Sequence, residues 1–265
     1  MTPRPMTSTM ARHPWAIVPA PRPEATLRLL CFPYAGGGPW IFSSWAHLFP
    51  DDVEVCAVQL PGRGSRLGEP LITRWDDAIE RLADGLTAWM DRPFAFFGHS
   101  LGAALAFELA CRLRRDRRTL PLHLFVSARR APHVPQAPPL AHTLPHEEFV
   151  EELRRLAGTP DEVLCDPELM DVFIPILRAD FALSETHSYR QEPAPMAVPI
   201  TAYGGIDDHS VSEAELQAWR RHTTGSFRRV LIPGGHFYVT QARQALVADV
   251  ADELRASLEG SCVHS

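Results

Sequence analysis

The stretch Phe94-Ala95-Phe96-Phe97-Gly98-His99-Ser100-Leu101-Gly102-Ala103-Ala104 decides the fold of this chain of 265 residues. Its first four residues are apolar and predict a buried strand, and the small residues after Gly102 predict a helix through Leu113. Between them stands the pattern Gly-x-Ser-x-Gly, in which a sharp turn from strand to helix lifts a serine side chain clear of a sheet. Ser100 is therefore predicted to be a nucleophile at the edge of a sheet.

Short apolar runs alternate with helical patterns on both sides of this stretch. We predict further strands at five apolar runs, residues 27–32, 53–60, 122–126, 200–203 and 227–232. Helices are predicted after Thr73, which would cap the first of them, and over residues 241–258. Because strands and helices alternate, we predict an α/β fold with a mostly parallel sheet flanked by helices.

The alternation stops between residues 132 and 194, which begin with a proline-rich stretch. Two helical apolar patterns follow, and Pro175 interrupts the second, where we expect a kink. This segment is predicted to be a helical lid inserted into the sheet domain. The predicted division is a proline-rich N-terminal leader, a core in two pieces, the lid and a C-terminal tail: residues 1–25, 26–131 with 195–258, 132–194 and 259–265.

Composition excludes several classes of function. The 26 basic residues are all arginine, so there is no Walker-type phosphate loop and no lysine for Schiff-base chemistry. The net charge of −6 argues against a nucleic-acid partner. No apolar stretch suits a signal peptide or a membrane span, and most of the five cysteines lie in apolar runs as expected for reduced core residues. We therefore predict a cytoplasmic protein with no membrane association, no metal and no cofactor.

A serine needs a base to become a nucleophile, and His236 is the best candidate. It lies in the loop Pro233-Gly234-Gly235-His236, straight after the last predicted strand. The acid that orients it should follow the preceding strand, where Asp207 and Asp208 are adjacent. The spacing Gly205-x-x-Asp208-x-x-Val211 is usual in the acid loops of hydrolases and favours Asp208, with Asp207 as the alternative. His99, beside the nucleophile, is interpreted as structural.

Two backbone N–H groups should stabilise the oxyanion of such a reaction. One is predicted to be that of Leu101, directly after the nucleophile. The other should come from the loop Phe32-Pro33-Tyr34-Ala35-Gly36-Gly37-Gly38, whose glycines allow the backbone to approach a ligand closely.

The chain resembles the stand-alone type II thioesterases that accompany polyketide and nonribosomal peptide synthetases. The animal medium-chain fatty-acyl thioesterase is similar to a lesser degree. The resemblance runs from about residue 29 to residue 254 and rests on separated strings: Phe32-Pro33-Tyr34-Ala35-Gly36-Gly37, Pro61-Gly62-Arg63-Gly64, Phe97-Gly98-His99-Ser100-Leu101-Gly102, Gly158-Thr159-Pro160, Leu177-Arg178-Ala179-Asp180-Phe181 and Pro233-Gly234-Gly235-His236-Phe237. It implies an α/β-hydrolase fold with a helical lid. It further implies a triad of Ser100, Asp208 and His236, with Ala35 and Leu101 as the oxyanion donors.

The resemblance also implies the reaction and the partner. The expected activity is hydrolysis of acyl groups from phosphopantetheine thioesters on an acyl or peptidyl carrier protein, in an editing or regenerating role and by an acyl-enzyme mechanism. The expected enzyme is a monomer, and Arg63, Arg66, Arg129 and Arg130 are predicted to lie in loops that dock the acidic carrier. Two alternatives remain open: a small-molecule carboxylesterase or acyltransferase with the same triad, and a hydrolase-fold binding protein without turnover.

Overall fold

The computed structural model describes residues 14–135, 140–156, 158, 161–192 and 194–262. A seven-stranded sheet lies at its centre, in the order β1-β3-β2-β4-β5-β6-β7. All neighbouring strands run parallel except β1, which is antiparallel to β3. The strands are β1 (Ala16–Ile17), β2 (Leu27–Phe32), β3 (Val53–Val58), β4 (Phe94–His99), β5 (Leu124–Ser127), β6 (Ile200–Gly205) and β7 (Phe227–Ile232). The predicted fold class, a mostly parallel sheet flanked by helices, is confirmed.

Eight α-helices connect and cover these strands in the described part of the chain. They are α1 (Trp75–Gly85), α2 (Leu101–Arg115), α3 (His146–Leu156), α4 (Asp161–Leu164), α5 (Pro167–Thr186), α6 (Glu213–Gln217), α7 (Tyr238–Gln241) and α8 (Arg243–Cys262).

The core consists of two apolar clusters, one on each face of the sheet. Alternate residues of a strand point to opposite faces, so Phe96 packs with α1 and α2 while Phe97 packs with α8. Both rings are fully buried, and each such side chain contributes about 1.5–3 kcal/mol to folding. Burial on both faces explains why the central strands are continuous apolar runs rather than alternating ones.

Helices α3, α4 and α5 share a third, smaller cluster that includes Phe149, Leu153 and Leu177. The side chain of Asp166 accepts hydrogen bonds from the N–H groups of two residues of the first turn of α5 and so fixes where this helix begins. Pro175 lies inside α5 and provides no N–H for the carbonyl one turn earlier. These three helices thus fall within the predicted lid segment.

Several sequence expectations differ from the structure. Residues Ala16–Ile17, inside the predicted leader, form the edge strand β1, which is too short to show a periodic pattern. Helix α1 begins at Trp75 after Arg74, so Thr73 does not cap it. Cys165 is exposed, whereas Cys31, Cys56 and Cys111 are buried as expected. The rest of the leader before residue 14, residues 136–139, 157, 159–160 and 193 of the lid and residues 263–265 of the tail lie outside the described residues.

A buried histidine makes the free energy of unfolding sensitive to acid. His123, just before β5, lies within 3.0 Å of the Ser257 hydroxyl and 2.9 Å of the Thr201 hydroxyl, and its ring stacks on Phe125. Burial, and then the charge of Arg228, lower the pKa of His123 from 6.5 to about 4. The folded protein therefore holds this imidazole neutral at a pH where the unfolded chain already protonates it.

We expect the free energy of unfolding to fall as the pH decreases from about 6.5 to about 4. Over this range the unfolded state binds more protons than the folded state, and the shift at His123 corresponds to roughly 3 kcal/mol. Urea titrations at several pH values should show a flatter dependence for His123→Gln, while the exposed His146→Gln serves as the control. An unchanged slope in His123→Gln would contradict this assignment.

Candidate active site

Ser100 lies at the tip of the turn between β4 and α2, with the backbone angles φ 54° and ψ −113°. Such angles are strained for a residue with a side chain and occur at the nucleophile position of this turn. The two flanking glycines allow it, because a Cβ at Gly98 would lie 2.2 Å from the Gly102 oxygen and one at Gly102 would lie 2.1 Å from the Phe32 oxygen. The Ser100 N–H donates to the Ser127 carbonyl at 2.8 Å and ties the turn to β5.

Leu101 is the first residue of α2, so its N–H has no acceptor within the helix. The N-terminal end of a helix carries a partial positive charge, which favours an anion placed there. The position is therefore suited to an oxyanion forming next to Ser100.

His236 follows β7, and its Nδ1 lies 2.8 Å from Asp208 Oδ2. The hydroxyl and the N–H of Ser210 donate to the other oxygen, Asp208 Oδ1, at 2.6 and 2.8 Å. Burial alone would raise the pKa of Asp208, but the hydrogen bond and charge of His236 and the two bonds from Ser210 outweigh it and lower the pKa to about 2. Asp208 is therefore ionised near neutral pH and accepts a hydrogen bond from the Nδ1–H of His236, which leaves Nε2 as the nitrogen that can accept a proton.

Of the two adjacent aspartates, the structure brings Asp208 to His236. Asp207 is exposed, and its N–H donates to the Gly234 carbonyl at 3.0 Å. The acid loop and the histidine loop touch at Gly205, where a Cβ would lie 2.5 Å from the Gly234 oxygen. The absence of a side chain at Gly205 thus allows the approach of the two loops.

The buried side chain of His99 forms a hydrogen bond with the backbone of His236. Its Nε2 lies 2.9 Å from the His236 carbonyl, which only accepts, so Nε2 carries the proton. Its Nδ1 then accepts from the Ser127 hydroxyl at 2.9 Å, and Ser127 in turn contacts the Tyr238 hydroxyl. Burial, and next the charge of His236, hold the pKa of His99 well below its usual range. The ring is a neutral support, in agreement with the structural role predicted for it.

Ser100, His236 and Ala35 line one cavity of about 150 Å³. Its apolar wall comes mainly from α3, α5 and the histidine loop, and consists of Leu153, Leu156, Leu177, Phe181, Val211 and Phe237. Polar side chains line the remainder, among them Arg129, Arg130, Ser184, Glu185 and Ser210. The predicted nucleophile, base and loop donor thus share a slot with one dry side and one polar side.

The prediction that Arg63 and Arg66 dock a partner is wrong, because both side chains are buried. Arg63 forms two hydrogen bonds with Asp180, and Arg66 pairs with Glu69 and stacks over the Trp15 ring. The loop sequence around Arg63 and Arg66 does not show these contacts, because Asp180 and Trp15 are distant from it along the chain.

Ser210 is the functional neighbour that the sequence analysis missed. It stands two residues after Asp208. In a common type of turn, an aspartate side chain accepts a hydrogen bond from the backbone N–H two residues further along the chain, as Asp208 does from Ser210. That signal was available in the sequence.

Within the ranges described, no group of three or more histidine, cysteine or acidic side chains is arranged to hold a metal ion. The helices of the same residues include none that is both long and apolar enough to cross a membrane.

A serine on a strand-to-helix turn, a histidine after the last strand and an aspartate after the strand before it define an α/β-hydrolase site. The family model described as Thioesterase domain matches residues 27–257, and the chain belongs to this family. The chain is 41% identical to the gramicidin S biosynthesis protein GrsT of Aneurinibacillus migulanus, over 96% of this chain and 98% of that protein.

A second relative is the medium-chain S-acyl fatty acid synthase thioesterase of Rattus norvegicus, 35% identical over 82% of this chain and 83% of the relative. Among solved structures, RedJ, the thioesterase of the prodiginine pathway of Streptomyces coelicolor, superposes with a TM-score of 0.82 at 40% identity. That match covers 88% of this chain and 95% of RedJ. The protein is thus an α/β-hydrolase and a thioesterase, and both predictions are confirmed.

Proposed function

We propose that this thioesterase hydrolyses acyl groups from phosphopantetheine thioesters on the carrier proteins of a polyketide or nonribosomal peptide synthetase, where it edits or regenerates blocked carriers. The observation that carries the proposal is that His236, whose Nδ1 lies 2.8 Å from Asp208 Oδ2, lines the same cavity as Ser100. The relatives named for gramicidin S and prodiginine biosynthesis support this choice of substrate.

The proposed reaction uses each of these groups in turn. Ser100 Oγ attacks the thioester carbonyl while His236 Nε2 accepts its proton, and the N–H groups of Ala35 and Leu101 stabilise the oxyanion. The C–S bond breaks, and His236 returns the proton to the departing pantetheine sulfur. Water then attacks the acyl-serine with His236 again as the base, which releases the free acid and restores Ser100. Throughout, ionised Asp208 holds the imidazole and stabilises its charged form.

The cavity suits a substrate of two parts. Its apolar wall from α3 and α5 would cover the acyl chain, while its open polar side would admit the pantetheine arm. The proposed enzyme acts as a monomer. The proposal needs no cofactor, nucleic acid or membrane, and it places the reaction in the cytoplasm with the synthetase.

The test compares two substrates that carry the same acyl group, an acyl-carrier protein and a plain ethyl ester. We expect kcat/KM on the carrier to exceed that on the ester by at least about 10²-fold, because contacts with the protein and the arm contribute binding energy that the ester lacks. A preference for the ester would favour a carboxylesterase, and transfer of the acyl group to an added alcohol instead of water would favour an acyltransferase. No turnover with either substrate would favour a binding protein.

A further inference from the structure

The loop that holds Ala35 is a tight turn of defined orientation. The Gly37 N–H donates to the Tyr34 carbonyl at 2.9 Å, and Gly36 has φ +76°, which together describe a type II turn. In a planar trans peptide the C=O and N–H groups point in opposite directions. The bond that fixes the Tyr34 carbonyl therefore also fixes the direction of the Ala35 N–H.

The central peptide of this turn is held by a buried carboxylate. The Gly36 N–H donates to Asp180 Oδ2 at 2.7 Å, and Asp180 lies on α5. Flipping this peptide would convert the turn to type I and direct the Ala35 carbonyl at the carboxylate, where like partial charges repel. Asp180 thus fixes the orientation of the Ala35–Gly36 peptide, and through the Gly36 N–H it anchors the turn that carries the Ala35 N–H.

Arg63 completes the arrangement. Its Nη1 donates to Asp180 Oδ2 at 2.7 Å and to the Gly37 carbonyl at 3.0 Å, and its Nη2 donates to Asp180 Oδ1 at 2.8 Å. The two side chains are only 4% and 2% exposed. Removing two charges from water is costly, and apolar residues of similar volume often stabilise a fold equally well. Stability alone therefore does not explain an ion pair here.

Helix α5 also packs directly on the turn. A Cβ at Gly36 would lie 2.4 Å from Leu177 Cδ2, one turn before Asp180. After Pro175 the helix makes further bonds to the core, from Trp75 to the Leu183 carbonyl and from Arg129 to Ser184. Before it, Leu169 and Val172 are exposed.

We propose that Asp180 and Arg63 are positioning residues for the oxyanion hole, which hold the turn from Tyr34 to Gly37 so that the Ala35 N–H is directed at the reacting carbonyl oxygen. The inference rests on the proposed function. According to this proposal, the second half of α5 both positions the oxyanion turn and lines the cavity that would hold the acyl chain. Deleting the whole predicted lid should then also abolish attack on small activated esters.

The test is Asp180→Asn, in which the amide NH2 group replaces one of the two accepting oxygens. We expect kcat on an acyl-N-acetylcysteamine thioester to fall by about 10²-fold or more, as for loss of an oxyanion donor, with KM changed less than about threefold. The affinity for a trifluoromethyl ketone, which forms an anionic adduct with Ser100, should fall by the same factor as kcat. The affinity for a non-hydrolysable thioether analogue, which forms no oxyanion, should change much less than kcat.

The matched control is Glu54→Gln, which removes one charge from the equally buried pair Arg28–Glu54, joined at 2.8 Å. If Asp180→Asn fails to fold, the double variant Arg63→Met with Asp180→Leu removes both charges and should fold while remaining slow. A kcat close to that of the unmodified enzyme in either folded variant would overturn the proposal. So would an equal loss of ketone and thioether affinity, or the same kcat loss in Glu54→Gln. Failure of the proposed function would instead appear as full activity in Ser100→Ala.

A separate observation concerns Arg129, which follows β5 and lines the cavity with Ser100. Its guanidinium donates to the hydroxyl and the carbonyl of Ser184 at 2.7 and 2.8 Å. Among the described residues, no carboxylate oxygen lies within 4.0 Å of it. Burial, and then the charge of Arg130, lower the pKa of Arg129 to about 10, while the charge of Glu185 opposes them, so Arg129 is still a cation near neutral pH.

The other charged groups of the cavity already have partners. Arg130 lies 3.6 Å from Glu215, and Glu185 accepts from His142 Nδ1 at 2.6 Å. Glu185 acts on Arg129 only from beyond ion-pair distance and is itself bonded to His142, so an anionic group of the substrate would give this cation a direct counter-ion. We propose that Arg129 binds such a group, either a carboxylate on the acyl unit or the phosphate of the pantetheine arm.

Two pairs of substrates distinguish these two anionic groups. Succinyl and butyryl thioesters of N-acetylcysteamine differ in the carboxylate, and acyl-phosphopantetheine and acyl-pantetheine differ in the phosphate. In Arg129→Gln we expect the ratio of kcat/KM for the anionic over the neutral member to fall about tenfold or more in one pair, with Arg129→Lys retaining part of it. The pair that responds identifies the group. Unchanged ratios in both pairs would overturn the proposal, even if the absolute rates fell.

Discussion

Replacing Ser100 or His236 by alanine is expected to lower kcat on a carrier-bound thioester by roughly 10³–10⁶, and combining the two changes should cost little more. The reason is that the two side chains act as one unit: without the imidazole the hydroxyl is a weak nucleophile, and without the hydroxyl there is nothing to activate. Steady-state rates of the two single variants and the double variant provide the measurement, with circular dichroism as the check on folding. A double variant that falls to the product of the two single losses would contradict the shared role.

The second large effect is expected at the acid. Asp208→Asn should lower kcat by up to about 10⁴, because the amide NH2 can donate to Nδ1 and so hold the imidazole in the wrong tautomer, and because the negative charge is lost. Asp207→Asn is the matched control and should cost less than about tenfold, since Asp207 is exposed and contacts the histidine loop through its backbone. The reverse order of the two losses would assign the acid to Asp207.

Sequence reasoning performed best where the evidence is local. The glycines around Ser100 indicate the turn because a side chain at either position would collide with backbone. The strand at residues Phe227–Ile232 agrees with its predicted range, since Gly225 shortly before it and Pro233 directly after it mark where a strand can begin and end. The spacing of glycine and valine around Asp208 likewise chose the aspartate that contacts His236.

Sequence reasoning failed where a partner is distant. Arg63 in a glycine-rich loop has the pattern of a solvated cation, and only the fold brings Asp180 to it across 117 residues. The two-residue strand β1 pairs with β3 through its backbone, which leaves no side-chain period to detect. Distant pairing of this kind is also what connects α5 to the oxyanion turn, so the role proposed for Asp180 emerges from the fold and not from its own sequence neighbourhood.

The central claim is that Ser100 releases acyl groups from a carrier protein by hydrolysis. The most direct measurement is the intact mass of an acyl-carrier protein during incubation with the enzyme and with Ser100→Ala. The account predicts that the carrier loses the mass of the acyl group, keeps its phosphopantetheine thiol and yields one free acid per thiol with the unmodified enzyme, whereas it stays acylated with Ser100→Ala. A carrier that stays acylated with the unmodified enzyme, or loses its acyl group equally fast with Ser100→Ala, would contradict it.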